Sequence, residues 1–208
     1  MGLAGSKASG KRRKVALVGM SETGKSHFLS VICGDGTTND ETLHPTNGYY
    51  CETLMHAGVT LDCVEFGWLV VQRGCRQERK LVPGDGMGDF DVLLWFIDEH
   101  DGRADVQLSQ SHMLGFVMAQ QQVPLGLCVI LNRGRPHASR HVIKDNRWHD
   151  DDGEHRDQSG MSWETFKSWI ALDSLAPHFP RGVHASELSY RDGFGADLIL
   201  DWVAKGHV

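Results

Sequence analysis

The chain has 208 residues, enough for one domain with a sizeable core, and 40% hydrophobic and 23% charged residues are ordinary for a globular protein. No apolar run approaches the ~20 residues that span a bilayer, and no apolar signal-peptide core follows Met1, so we expect a cytoplasmic protein. The net charge is −6, but residues 1–14 carry five basic residues and no acid, which leaves −11 on the remainder. The acidic remainder argues against nucleic acid as a partner, whereas the basic segment favours an anionic membrane surface.

The first elements surround a glycine-rich loop. Residues 1–13 are polar and basic and are predicted to be a flexible arm, followed by one domain over residues 14–208. The apolar run Val15–Val18 predicts a central strand of a parallel sheet, and Lys25–Cys33 predicts a helix. Between them residues 19–26 read G-x-x-x-x-G-K-S, and this strand, loop and helix order predicts a phosphate-binding loop.

The residue types of this loop suit a phosphate ligand. The two glycines let the backbone curl around an anion, and the helix adds its positive end. Lys25 would reach the β- and γ-phosphates, and the Ser26 hydroxyl would bind Mg²⁺. The loop residues predicted to contact a nucleotide are Gly19, Ser21, Glu22, Thr23, Gly24, Lys25 and Ser26.

The rest of the chain alternates between strand-like and helix-like segments, which predicts an α/β sheet. The predicted strands are Tyr49–Met55, Val59–Phe66, Val92–Ile97, Leu125–Leu131 and Val183–Ser186, the first two forming a hairpin. The predicted helices are Arg103–Gln122, Ser162–Leu172 and Phe194–Ala204. Residues 69–91 and 137–160 are predicted to be loop insertions, and the polar stretch Arg133–Gly160 is expected to be a surface loop.

A second motif gives a family resemblance. Residues 44–53 read H-P-T-N-G-Y-Y-C-E-T and resemble the first switch segment, P-T-x-G-[FY]-x-x-E-T, of ADP-ribosylation-factor-like (Arf-like) small GTPases. The resemblance covers residues 14–204 and implies a P-loop NTPase small G-protein fold, with a six-stranded, mostly parallel sheet and helices on both faces. It also implies GTP or GDP and Mg²⁺ as ligands, with Thr46 binding the metal beside Ser26.

The second switch motif of the family, W-D-x-G-G-Q, corresponds here to residues 64–69. Glu65 keeps a carboxylate for a water-mediated metal contact, and the resemblance places Gly67 at the nucleotide. Trp68 stands where a glycine approaches the γ-phosphate, and Leu69 stands where a glutamine orients the attacking water. Because leucine has neither donor nor acceptor, hydrolysis is expected to be weak or absent, and no catalytic residue is assigned.

The family's guanine-reading motif, N-K-x-D, corresponds to residues 132–135. Asn132 and Arg133 take its first two positions and are predicted to contact the nucleotide. Arg135 offers only donors where the family's aspartate accepts hydrogen bonds from guanine, so guanine selectivity is expected to be weakened. The last base-contacting loop of the family falls near Ala185-Ser186-Glu187, with Ala185 and Ser186 predicted to contact the nucleotide.

The N-terminus carries a lipidation pattern. Gly2 with Ser6 fits N-myristoylation, which many Arf-like proteins undergo. The arm has almost no apolar face, so its second membrane signal is expected to be electrostatic. The basic residues concerned are Lys7, Lys11, Arg12, Arg13 and Lys14.

These features favour an Arf-like, monomeric small GTP-binding protein that acts as a nucleotide-dependent interaction switch in membrane or intracellular transport. Effectors and regulators are expected to bind the switch segments, residues 44–53 and 65–91, and peripheral membrane association is expected through the arm. The alternative is a pseudo-GTPase that serves as a structural or adaptor module. A P-loop kinase is a weaker third hypothesis, because it does not explain residues 45–53.

Overall fold

The computed structural model describes residues 10–34, 48–67, 90–119, 125–133, 141–144, 147–150, 161–189 and 193–206. The strands are β1 (Arg12–Gly19), β2 (Tyr49–His56), β3 (Val59–Phe66), β4 (Val92–Asp98), β5 (Gly126–Arg133), β6 (His141–Lys144), β7 (Arg147–Asp150) and β8 (Val183–Ser189). The α-helices are α1 (Lys25–Cys33), α2 (Arg103–Ala119), α3 (Trp163–Ile170), α4 (Leu172–Leu175) and α5 (Ala196–Lys205). A 3₁₀ turn, Ala176–His178, follows α4.

The main sheet has six strands in the order β2-β3-β1-β4-β5-β8. All neighbouring pairs are parallel except β2 and β3, which form an antiparallel hairpin with Tyr49 opposite Phe66. The turn between β2 and β3 is Ala57-Gly58, both with positive φ. Because the carboxyl ends of β1, β4 and β5 lie at one edge of the sheet, the segments that follow these strands meet there.

Helices cover both faces of this sheet, since the side chains of a strand alternate between its faces. On one face, Phe28 of α1 and Ile199 and Val203 of α5 pack against strand residues such as Leu17 and Leu94. On the other face, buried residues of α2 and α3 pack against Ala16, Val18, Leu93 and Trp95 of the strands. The helix residues of this core include Val106, Met113, Phe166 and Ile170. This arrangement confirms the predicted fold class.

No helix in the described part of the chain has the length and apolar character needed to cross a bilayer. The predicted strands and helices occur in the predicted order, with α1 at the predicted bounds, and the structure adds the β6–β7 hairpin and the short helix α4. The predicted helix over Ser162–Leu172 is divided by Ala171, whose φ of 43° ends α3 and precedes α4.

The predicted boundary of the N-terminal arm is wrong by two residues. β1 begins at Arg12, which pairs with Thr60 of β3. The Arg12 guanidinium binds the Asp62 carboxylate, with Nη2 donating to Oδ1 at 2.8 Å, and this hydrogen bond holds the pKa of Asp62 below its ordinary value. Arg13 is buried. The sequence pattern missed these residues because the apolar run begins only at Val15.

The polar stretch over residues 133–160 contains a hairpin and is not wholly a loop. β6 pairs with β7 in antiparallel fashion, with Ile143 opposite Trp148. Valine, isoleucine and tryptophan favour strands, and this local preference was hidden by the polar residues around them. The predicted insertion at residues 69–91 lies outside the described residues apart from Phe90 and Asp91.

Candidate functional site

The phosphate-loop segment passes very close to the neighbouring strands. Gly19 ends β1 with φ 149°, and a Cβ placed on it would lie 2.5 Å from the Phe96 carbonyl oxygen of β4. Gly24 precedes α1 with φ 90°, and a Cβ there would lie 2.3 Å from Nδ2 of Asn132. Both motif glycines are therefore required by conformation and by space.

The backbone between the two glycines leads into an uncapped helix. Glu22 has φ 64°, an uncommon conformation for a residue other than glycine, and Ser21 is exposed. The buried Thr23 hydroxyl donates to the Met20 carbonyl at 3.0 Å. No side chain caps the N-terminus of α1, and its first turn carries no acid. Such an end, with its N–H groups and positive dipole, suits an anionic ligand.

Lys25 lies beneath this loop. It is buried, and its Nζ donates to the carbonyl oxygens of Gly19 at 3.1 Å and of Met20 at 2.6 Å. A buried ammonium is costly unless polar groups surround it, and the loop carbonyls supply them. The positive charge is thus fixed inside the loop that the sequence assigns to phosphate binding.

Ser26 faces the end of β3. Its Oγ donates to Oε1 of Glu65 at 2.7 Å, and Glu65 is only 2% exposed. A hydroxyl and a carboxylate side by side at a helix N-terminus are oxygen ligands of the kind that Mg²⁺ takes. These two residues fit the metal that the resemblance implies, with Ser26 as the ligand and Glu65 as its carboxylate neighbour.

Asn132 and Arg133 lie together at the end of β5 and have different surroundings. Asn132 is buried, and its Nδ2 donates to the Thr23 carbonyl at 3.1 Å, which joins β5 to the phosphate loop. Arg133 donates from Nη1 to the Met161 carbonyl at 3.0 Å and from Nη2 to Oε1 of Glu187 at 2.6 Å. Asn132 therefore supports the loop, whereas Arg133 contacts other segments of the protein.

The structure places Ala185 and Ser186 inside the sheet. They pair with Val129 and Ile130, whereas Leu188 is the residue opposite Asn132 at the sheet edge. The register thus places Leu188 beside Asn132, the β5 residue that contacts the phosphate loop. Contact of Ala185 or Ser186 with a nucleotide stays a prediction.

Gly67 follows β3, and its N–H donates to the Gly48 carbonyl at 2.8 Å, which extends the β2–β3 pairing by one step. The other assigned residues of the switches, the base motif and the lipidation site lie outside the described residues: Gly2, Thr46, Trp68, Leu69 and Arg135. Their roles remain predictions.

Sequence reasoning missed Glu99 and Met161, which contact Arg133 together with Glu187 of the expected base-contacting loop. These residues are distant from one another in the chain, and no local motif links them. One signal was available for Glu99, since it directly follows β4 and polar residues at the carboxyl ends of parallel strands collect at the ligand edge.

No protein-family model and no curated protein matches this sequence. In structure, the chain is similar to the Arl6 (BBS3) small GTPase of Trypanosoma brucei, which was solved with the bound nucleotide analogue GppNp. The TM-score is 0.60 and the sequence identity 11%, over 94% of this chain and 96% of that chain. The chain therefore has the small GTPase fold, a P-loop NTPase fold.

The contact between Gly24 and Asn132 gives a test of the site's packing. Gly24→Ala should destabilise the protein by about 2–4 kcal/mol, because the new Cβ adds backbone strain and displaces Asn132 from the Thr23 carbonyl. Gly34→Ala is the matched control, since Gly34 lies at the other end of α1 with φ 75° and open space around it. Gly34→Ala should destabilise the protein by only about 1–2 kcal/mol, the strain of placing alanine in the left-handed conformation. Equal losses of the free energy of unfolding for the two variants, measured by chemical denaturation, would contradict the contact between Gly24 and Asn132.

Proposed function

We propose that this chain is an Arf-like, nucleotide-dependent interaction switch that binds the phosphates of a nucleoside triphosphate together with Mg²⁺. The observation that carries the proposal is the loop from Gly19 to Ser26, with the buried Lys25 and the Ser26–Glu65 contact at its end. GTP and GDP are the ligands that the resemblance implies, and the Trypanosoma brucei neighbour with GppNp supports that class.

The proposed roles follow from the contacts. Lys25 supplies positive charge to the β- and γ-phosphates from its position under the loop. Ser26 binds the metal, with Thr46 as a second ligand by resemblance, and Glu65 orients a metal-bound water. When bound, Mg²⁺ neutralises charge on the phosphates. The uncapped N-terminus of α1 adds N–H donors at the same place.

Effectors and regulators are proposed to bind the switch segments, in membrane or intracellular transport. The structure describes residues 48–53, 65–67 and 90–91 of these segments, and there Tyr49 and Tyr50 of the edge strand β2 are exposed; Met55, further along β2, is exposed as well. Aromatic residues and methionine are enriched in protein interfaces, which supports a partner at this edge. The arm and a myristoylated Gly2 are proposed to give peripheral membrane binding from the cytoplasm.

A pseudo-GTPase adaptor is the second candidate. It is favoured by Trp68, Leu69 and Arg135 in motif positions, and by Arg133, which binds protein acceptors. The two functions differ in one measurable property, since an adaptor of this kind needs no nucleotide.

Binding is tested by Lys25→Ala in a titration of the full chain with a fluorescent triphosphate and Mg²⁺. The affinity should fall by about a hundredfold or more, because a charged hydrogen-bond donor to the phosphates is lost. Lys167→Ala removes a partly exposed lysine of α3 that is paired with Glu164, and it should bind like the wild type. If Lys25→Ala also binds like the wild type, the phosphate loop is not the ligand site.

Hydrolysis is expected at or below the intrinsic Ras-like rate of about 10⁻⁴ s⁻¹. Leu69→Gln alone should not restore it, because Trp68 still stands at the glycine position of the second switch. Single-turnover assays with a labelled triphosphate measure the hydrolysis rate of the wild type and of Leu69→Gln. A wild-type rate well above that value would show that the chain has another way to position water.

Membrane binding is expected to have two parts, since one myristoyl chain gives only about 10⁴ M⁻¹. In sedimentation with anionic liposomes, Gly2→Ala should lose most binding of the acylated chain. Neutralising Lys7 and Lys11 should each remove about 1 kcal/mol of the free energy of membrane binding, and the binding that remains should depend less on the salt concentration. Lys167→Gln is the control, because it also removes one positive charge but lies in α3, outside the arm. Unmodified Gly2 in native protein would refute the two-part account.

A further inference from the structure

The strand β2 forms an open edge of the main sheet. Among the described strands it pairs with β3 alone, and its eight residues, Tyr49–His56, keep a continuous register with β3 up to the turn. Alternate side chains of β2 lie on the face that α2 and α3 cover in the middle of the sheet. These side chains are all exposed and uncharged: Tyr49, Cys51, Thr53 and Met55. Met55 is 76% exposed. β2 therefore presents an uncharged row of side chains beside a strand edge.

The edge at β2 lacks the features that usually keep edge strands apart. Such strands are commonly protected by lysine, proline, a bulge or a short length, because an open edge pairs readily with another strand. β2 contains no lysine, arginine or proline, and Glu52 is its only carboxylate. At the opposite edge of the sheet, β8 has no exposed residue. The edge that suits a further strand is therefore β2.

The turn after β2 determines which of its backbone groups point outward. Ala57 and Gly58 form a two-residue turn with φ of 47° and 76°. In hairpins of this kind the residues that flank the turn, here His56 and Val59, face each other as a hydrogen-bonded pair. Such pairs alternate along antiparallel strands, so every second residue before His56 directs its N–H and C=O groups away from β3. The outward-directed residues are Tyr49, Cys51, Thr53 and Met55.

We propose that β2 pairs in antiparallel fashion with β2 of a second copy of this chain, around a two-fold axis at Thr53. An axis at Glu52 or at Thr53 keeps nearly the whole strand paired, whereas other axes shorten the pairing. The axis at Glu52 places this carboxylate directly opposite its own copy, which is destabilising. The axis at Thr53 avoids that contact. This dimer departs from the monomer expected from the sequence, and it does not depend on nucleotide binding.

The pairing around Thr53 matches the side chains of the two copies over residues 50–56. Thr53 faces Thr53 of the second copy, a cross-strand pair that stabilises antiparallel sheets. The other facing pairs are Met55 with Cys51, Leu54 with Glu52, and His56 with Tyr50. No like charges oppose each other in this register. Because the two strands are antiparallel, the phosphate loops lie at opposite edges of the joined sheet, so the pairing does not involve them.

The first test is the mass of the wild-type full chain in solution, measured by sedimentation velocity in a reducing buffer from about 1 to 200 µM. The mass should rise from one chain to two across this range, since an interface made by one pair of strands is small and weak. The reducing agent excludes a disulfide through the exposed Cys51. A single chain at every concentration would overturn the proposal and leave the proposed nucleotide binding, which is tested through Lys25, unaffected.

A charge exchange then tests the position of the axis. Thr53→Arg and Thr53→Glu each place like charges face to face, so each variant alone should remain monomeric at about 200 µM. An equal mixture of the two should form a dimer again, because arginine then faces glutamate. Leu108→Arg is the matched control, since it adds the same charge at an exposed apolar residue of α2 and should dimerise like the wild type. Dimers of either Thr53 variant alone, or a mixture that stays monomeric, would overturn the pairing around Thr53.

A second variant covers loss of folding at Thr53, whose hydroxyl donates to Oδ1 of Asp62 at 2.9 Å. Met55→Pro removes an outward-directed N–H and leaves the hydrogen bonds between β2 and β3 in place. Its dissociation constant for the dimer should rise by about tenfold or more, with circular dichroism like that of the wild type. Folded Met55→Pro protein that dimerises as tightly as the wild type would overturn the proposal.

Discussion

The site depends on a close approach between the first loop and the middle of the sheet. The loop passes Phe96 of β4 and Asn132 of β5 at distances that exclude any side chain at Gly19 and Gly24. Since Asn132 also holds the Thr23 carbonyl, the loop is fixed at its start and at its end. α1 begins at once after Gly24, so its direction and the positions of Lys25 and Ser26 are set by the same contacts.

This packing also explains why charged groups are buried at the sheet edge. Lys25 and Glu65 are each shielded from water, and each has a polar neighbour contributed by the loop or by α1. Burying a charge costs free energy that such contacts only partly offset, so charges kept at a strand edge favour a ligand site. The same edge has a different character at Arg133, where the ion pairs with Glu187 and Glu99 connect protein segments. The part of the edge around Lys25 and Glu65 suits an anionic ligand with a metal, whereas the contacts of Arg133 connect segments of the protein.

Much of the fold could be predicted from local patterns. Apolar runs identified the strands of the main sheet, and the motif at residues 19–26 located the loop and the start of α1. What could not be predicted depends on partners distant in the chain. Arg12 joins the sheet through Thr60 and Asp62, although its own neighbours are basic. The direction of the Arg133 side chain depends on Met161 and Glu187, which no spacing in the sequence connects with it.

The central claim is that the loop holds a nucleoside phosphate. The most direct measurement is to purify the full chain in Mg²⁺ without denaturation, extract small molecules with acid, and identify and quantify nucleotides by chromatography. The account predicts a nucleoside di- or triphosphate in a near-equimolar amount, and its absence from Lys25→Ala protein prepared in parallel. Wild-type protein that carries no nucleotide, and that binds no added triphosphate at high micromolar concentration, would contradict the account and favour the adaptor.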